Sequence, residues 1–105
     1  MSTKKFRPAK KALEELGVGP VTFASLLRTY RLCEELTLSE MASKLKISIS
    51  HLSDIENERK FVSIERAKLF AKLLKDNEKY FVLVSLRDQL RKADCDYDIE
   101  LKAIS

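Results

Sequence analysis

Glycine and proline are scarce, at two residues each in 105, tryptophan is absent and there is a single histidine. So few turn-forming residues exclude a many-turned β-sandwich or barrel. The two cysteines, Cys33 and Cys95, stand apart from each other and from His51. They make no CxxC pair and no Cys/His cluster, so they read as reduced thiols of a cytoplasmic protein, with neither a zinc site nor a disulfide framework expected. No apolar run approaches the roughly 18 residues of a membrane span. Residues 1–11 are polar and basic without an apolar stretch, so no secretory signal is expected there. A nucleophile elbow, a phosphate loop and an HExxH helix are all missing. Enzymatic activity, a cofactor and a metal are therefore not expected. Asp94-x-Asp96-x-Asp98 is superficially like a calcium loop, but Ile99 occupies the sixth position in place of glycine and Ser105 the twelfth in place of glutamate.

What is present has globular composition: 45% hydrophobic and 34% charged residues, in a length that suits one compact domain. The net charge is +4, and its distribution is uneven. Lys4, Lys5, Arg7, Lys10 and Lys11 form a head without acids, and Asp94, Asp96, Asp98 and Glu100 a stretch without bases. Such asymmetry suits a polyanion at one end and a different partner at the other, although solvated termini would look the same.

Helical signals run through most of the chain. Residues 8–16 suit a short helix, with Pro8 in its first turn and Gly17 past its end, followed by a linker from Gly17 to Pro20. From Thr22, Phe23, Leu26, Leu27, Tyr30 and Cys33 recur at helical spacing. Thr37-Leu38-Ser39-Glu40 is a capping box, opening a helix with Met41, Ala42 and Leu45 inward. Ser48 caps another, anchored by Leu52 and Ile55, and Ser63 a fourth, with Ile64, Ala67, Leu69, Phe70, Leu73 and Leu74 available for burial. Asp76 or Asn77 opens a fifth, running through Tyr80, Phe81, Leu83, Val84, Leu86 and Leu90. Cys95 to Leu101 then alternates polar and apolar residues, the period of a strand. A lone strand in a helical protein would need a partner from a second chain.

Met41, Ala42, Leu45, Ile47, Leu52 and Ile55 specify two short helices meeting at a tight turn. Met41 and Leu45 face the core, Ala42 is small where the next helix crosses, Ile47 plugs the turn, and Leu52 and Ile55 anchor the second helix. With those positions inward, Ser48, Ile49, Ser50, His51, Ser53 and Asp54 cannot all be buried. A short helix held proud, with small polar side chains at its N-terminal end, suits the DNA major groove.

From Phe23 to Lys75 the chain resembles the phage-repressor-like helix-turn-helix family of the lambda repressor, Cro or XRE type. The resemblance rests on Leu36-Thr37-Leu38-Ser39-Glu40-Met41-Ala42-Ser43-Lys44-Leu45, then Ile47-Ser48-Ile49-Ser50-His51-Leu52-Ser53-Asp54-Ile55-Glu56-Asn57, then Arg59-Lys60 and a helix from Ser63. It implies an all-α, five-helix domain with short N-terminal and C-terminal extensions, the latter carrying the candidate strand. It places Ser48, Ile49, Ser50 and Asp54 where base edges are read. A hydroxyl bonds several bases, a carboxylate can accept from cytosine N4, and Ile49 could meet a thymine methyl. It places Asn57 and Arg59 at a phosphate-touching loop, and implies an Arg31–Glu56 ion pair that leaves Arg31 donors for phosphate. The DNA-contacting set it implies is Arg31, Thr37, Ser39, Ser48, Ile49, Ser50, His51, Ser53, Asp54, Asn57, Arg59 and Lys60. The chain departs from the family at Leu38, where many members carry glutamine, at Lys46, where glycine would take the positive φ more cheaply, and at Glu58, where glycine often follows the asparagine.

The expected organisation is a basic arm over 1–20, the helix-turn-helix domain over 21–76, and a C-terminal helix and candidate strand over 77–105 for dimerisation or partner binding. The expected function is that of a sequence-specific regulator of double-stranded operator DNA, a homodimeric repressor. The basic arm would lie on the DNA backbone or minor groove, or be a solvated tail. The alternating acidic stretch is the feature that suits an antitoxin, able to add a strand to a toxin protein. An adaptor that keeps the fold without specific DNA binding is the alternative, supported by Leu38, Lys46 and Glu58.

Overall fold

In the computed structural model, residues 21–95, 97, 99–102 and 104 are described. The basic head and the expected helix at 8–16 lie outside them. The described residues contain five helices: α1 (Phe23–Cys33), α2 (Leu38–Leu45), α3 (Ile49–Glu56), α4 (Ile64–Leu74) and α5 (Glu78–Lys92). None is long and apolar enough to cross a membrane.

Each helix starts where a short polar side chain can satisfy an orphaned backbone N–H. Thr22, Thr37, Ser48, Ser63 and Asn77 are the N-caps, each accepting from the backbone N–H three residues on. The Thr37 box is closed reciprocally, since the Thr37 N–H donates to Glu40 Oε1 at 2.8 Å. Thr22 and Ser25 form a second such box at the head of α1, which the sequence pattern did not single out.

The ends of the helices show the consequence of scarce glycine. Glu35, Lys46, Glu58, Lys75 and Asp94, one or two residues past the helix ends, adopt φ of 56–59°. Each closes a doubled turn. After α2, Lys46 N donates to Ser43 O at 3.1 Å and Ile47 N to Ala42 O at 3.0 Å. After α3, Glu58 N donates to Ile55 O at 3.1 Å and Arg59 N to Asp54 O at 2.8 Å. A Cβ in the left-handed region costs about 1 kcal/mol or more. Lys46→Gly is therefore expected to raise stability by about 0.5–1 kcal/mol after the extra unfolded-state entropy of glycine is subtracted, read as a higher urea midpoint at unchanged slope.

The core is continuous across all five helices. Phe23, Leu26, Leu27, Met41, Ala42, Leu45, Leu52, Ile55, Ala67, Phe70, Ala71, Phe81 and Val84 are buried together. Phe23 lies edge-on to Phe81, with ring centroids 5.7 Å apart, and 6.4 Å from Phe70. Leu69 and Ile64, offered by the sequence for burial, are instead exposed. They fall outside the α4 stripe that Ala67, Phe70, Ala71 and Leu74 complete. Tyr30 donates its hydroxyl to Leu74 O at 3.1 Å, and burial, followed by the nearby Glu34 and Asp76, pushes its pKa up to about 12, so it remains a donor. Ser85 is buried and donates to Val62 O at 2.7 Å.

Asp88 ties α5 to α1. Its Oδ2 accepts from Phe23 N at 3.0 Å, at the N-terminal end of α1, and Arg91 pairs with Oδ1. Burial raises the Asp88 pKa above its ordinary 3.8, outweighing the hydrogen bond from Phe23 and the charge of Arg91. A raised carboxylate pKa means that the folded state holds the proton more tightly than the unfolded state. Its stability contribution is therefore greatest at low pH and declines as pH rises through the folded pKa. Asp88→Asn, which keeps an acceptor for Phe23 N, should gain on the wild type in urea midpoint as pH rises from below the carboxylate range to neutral. A difference independent of pH would refute this assignment.

The expected strand is corrected. Among the described residues beyond Lys92 there is no strand. The Ile99 carbonyl accepts from the Arg87 side chain at 3.1 Å, and Tyr97 is 72% exposed. The alternating pattern supplies side chains for a strand, but a strand needs a neighbouring backbone to pair with, and no described residue provides one.

Candidate nucleic-acid interface

α2 and α3 meet at Lys46-Ile47-Ser48, and the left-handed Lys46 turns the chain. Met41, Ala42, Leu45, Leu52 and Ile55 are buried as their spacing implied, while Ile47 is partly buried against them. With Leu52 and Ile55 anchoring α3, Ser48, Ile49 and Ser50 are exposed and His51, Ser53 and Asp54 half-buried. The N-terminal turn of α3 thus stands out from the domain. Ile49 is 50% exposed, a large apolar side chain left in water at the tip of the helix.

α3 is fixed from behind by charge. Glu56, its last residue, is 5% exposed. Its carboxylate accepts from Arg31 Nε at 2.9 Å and Arg31 Nη2 at 3.1 Å, a two-pronged pair, and Arg28 Nε lies 3.5 Å from Oε1. Arg28 Nη2 also donates to the Glu56 carbonyl at 2.8 Å. The ion pair that the resemblance implied is present, but Arg31 has less to offer phosphate than expected. Its Nη1 donates to Leu36 O at 3.3 Å, and its side chain is 17% exposed. Arg28, which the sequence did not single out, is 49% exposed and completes the cluster. The signal was available, since Arg28 and Arg31 are three apart on one helix face.

Around α3, several candidates are already engaged. Asn57 Nδ2 donates to Ser53 O at 2.8 Å and Ser53 Oγ at 3.3 Å, closing the helix. Asp54 Oδ1 accepts from Arg59 Nε at 3.0 Å, so it is not an isolated carboxylate awaiting a base. Thr37 and Ser48 use their oxygens as caps, for Glu40 N at 3.1 Å and His51 N at 3.0 Å. Ser39 and Lys60 are exposed.

The basic surroundings of α3 extend onto α4. The His51 pKa is lowered, first by burial and then by the positive charges of Arg66 and Lys60, with Asp54 opposing. His51 is therefore neutral at neutral pH and borders a positive surface. Arg66 was missed from the sequence because it lies fifteen positions from His51 along the chain, and only the fold brings its charge to bear on the imidazole. Among the described residues, no group of three His, Cys, Asp or Glu could hold a metal ion.

A family model described as helix-turn-helix matches residues 27–75. No curated protein and no solved structure matches the chain.

Proposed function

We propose that this protein is a DNA-binding transcription regulator of the lambda-repressor-like, XRE type, a sequence-specific, homodimeric repressor acting in the cytoplasm, a reading supported by the helix-turn-helix model that matches residues 27–75. The observation that carries this reading is the exposure of Ser48, Ile49 and Ser50 on a helix whose Leu52 and Ile55 are buried and whose Glu56 is clamped from behind. One such helix reads only a few base pairs. Two-fold pairing doubles the contact and requires half-sites about 34 Å apart. The partly exposed apolar side chains of α5, among them Val82, Leu83, Leu86 and Leu90, suit the dimer surface. Arg31, Thr37, Ser39, Asn57 and Lys60 are proposed to position the domain on phosphates, and Ser48, Ile49, Ser50, His51 and Ser53 to meet the bases or their flanks.

Selection from random duplex DNA tests the reading. An enriched palindrome whose binding weakens steeply with salt is the expected result, because phosphate contacts release counterions. No enrichment even at low salt would sink it in favour of an adaptor.

A second reading refines the first. The alternating acidic tail, with Tyr97 exposed and no strand partner among the described residues, suits addition to the sheet edge of a basic toxin, which would make the repressor an antitoxin. Deleting residues 93–105 should then abolish toxin capture and spare DNA binding. Loss of dimerisation in the shortened protein, read by sedimentation, would make the tail a dimer element instead.

A further inference from the structure

The turn after α3 is folded onto Asp54. The carbonyl of Asp54 accepts from Arg59 N at 2.8 Å and Lys60 N at 3.2 Å, and its carboxylate accepts from Arg59 Nε at 3.0 Å. The left-handed Glu58, with φ of 59°, brings Arg59 back within reach. Main-chain and side-chain contacts thus converge on one residue, and the guanidinium is held against the helix it follows.

Asp54 lies four residues after Ser50, so both share one face of α3. That is the side of the helix whose first turn is exposed. The Arg59 side chain is 62% exposed, and its Nη1 and Nη2 make no hydrogen bond among the described residues. Nε is engaged, and the two terminal nitrogens remain as a planar fork beside the reading face. A fork of two parallel N–H donors matches the O6 and N7 acceptors of guanine in the major groove. A carboxylate alone on that face would be repelled by the phosphates lining the groove. Paired with Arg59, its charge is offset.

The geometry points to Arg59 as a guanine-reading side chain and to Asp54 as the positioning residue that aims it, in place of a base contact by Asp54 itself. This inference rests on the DNA-binding reading proposed above. It makes specificity depend on a pair formed before DNA arrives, so little side-chain freedom is lost when the base is met.

The test uses the full chain and the duplex selected by the wild type, with every base pair of a half-site substituted in turn. One G·C pair should prove sensitive, its replacement weakening wild-type binding roughly 10- to 100-fold. Arg59→Ala should level the preference at that pair alone. Arg59→Lys, which keeps the charge but loses the fork, should level it as well. Asp54→Ala should reduce the preference at the same pair and leave the other positions unchanged, a pattern that a general loss of folding would not produce. The inference is overturned if Arg59→Ala weakens binding to all duplexes equally and lowers the salt slope by about one, the signature of a phosphate contact. It is equally overturned if Asp54→Ala and Arg59→Ala act at different base pairs. A wild type that selects no sequence would sink the regulator reading itself. The other two outcomes leave that reading standing.

Discussion

Replacing Glu56 with alanine is expected to cost about 3–5 kcal/mol, the range found when one member of a buried ion pair is removed. The carboxylate is almost fully enclosed and receives two N–H groups from Arg31, with Arg28 alongside. Its loss would leave the Arg31 guanidinium, itself 17% exposed, without a counter-charge. A domain of this size is held by about 5–15 kcal/mol in all, so the loss is a large fraction of the total and Glu56→Ala should unfold at a markedly lower urea concentration. Glu56→Gln keeps the shape and one accepting oxygen, but it loses the charge and turns an NH2 donor toward the Arg31 N–H groups, so it should also destabilise, by no more than Glu56→Ala. Urea denaturation of the three proteins decides the matter. A loss below about 1 kcal/mol for Glu56→Ala would put the pair in the class of exposed salt bridges. Because Glu56 ends α3 and Arg28 and Arg31 lie on α1, the same pair sets the angle at which α3 is presented. DNA affinity should fall with it, and by more than the unfolded fraction accounts for.

The second large effect is expected at Phe81. Its ring is fully buried and lies edge-on to Phe23 at 5.7 Å. Phe81→Ala removes both the transfer free energy of the ring and the contacts lining the space it fills, a loss of about 3–5 kcal/mol. Its location gives the prediction further meaning. Phe81 belongs to α5, outside the segment that matches the helix-turn-helix model, while Phe23 belongs to α1. Asp88, from the same helix as Phe81, hydrogen-bonds to the backbone of Phe23. We expect α1 to α5 to unfold as one unit, so that far-ultraviolet dichroism and a DNA-binding readout lose signal at one common midpoint, shifted together in Phe81→Ala. Two separated transitions, with α5 melting first and leaving the rest folded, would contradict this.

Much of the structure was legible because its signals are local. A hydroxyl or amide two or three residues ahead of an apolar stripe marks a helix start. The stripe itself marks the inward face, and Thr37, Ser48 and Ser63 were readable as N-caps in this way, with the cap of α5 narrowed to Asp76 or Asn77, of which the structure has Asn77. The exposure of Ser50 followed by elimination, once Leu52 and Ile55 had been claimed for the core. The positive φ at Lys46 could be anticipated from the departure from glycine, and the same reasoning applies at Glu58.

Other features were not legible, for a common reason. The buried state of Glu56, the link from Asp88 to the head of α1 and the closeness of Arg66 to His51 each depend on where two segments of backbone come to lie. Periodicity says which face of a helix turns inward, and says nothing of which charged side chain on a neighbouring helix will meet its edge. The alternating tail shows the same limit from the other side, since side-chain order permits a strand and only a paired backbone makes one. The sequence by itself therefore determined the helices, their caps, their inward stripes and the bihelical corner, all set by interactions within a few residues. The tertiary structure alone decided which charges are buried, which are paired and which remain on the reading face, because those depend on how the helices cross.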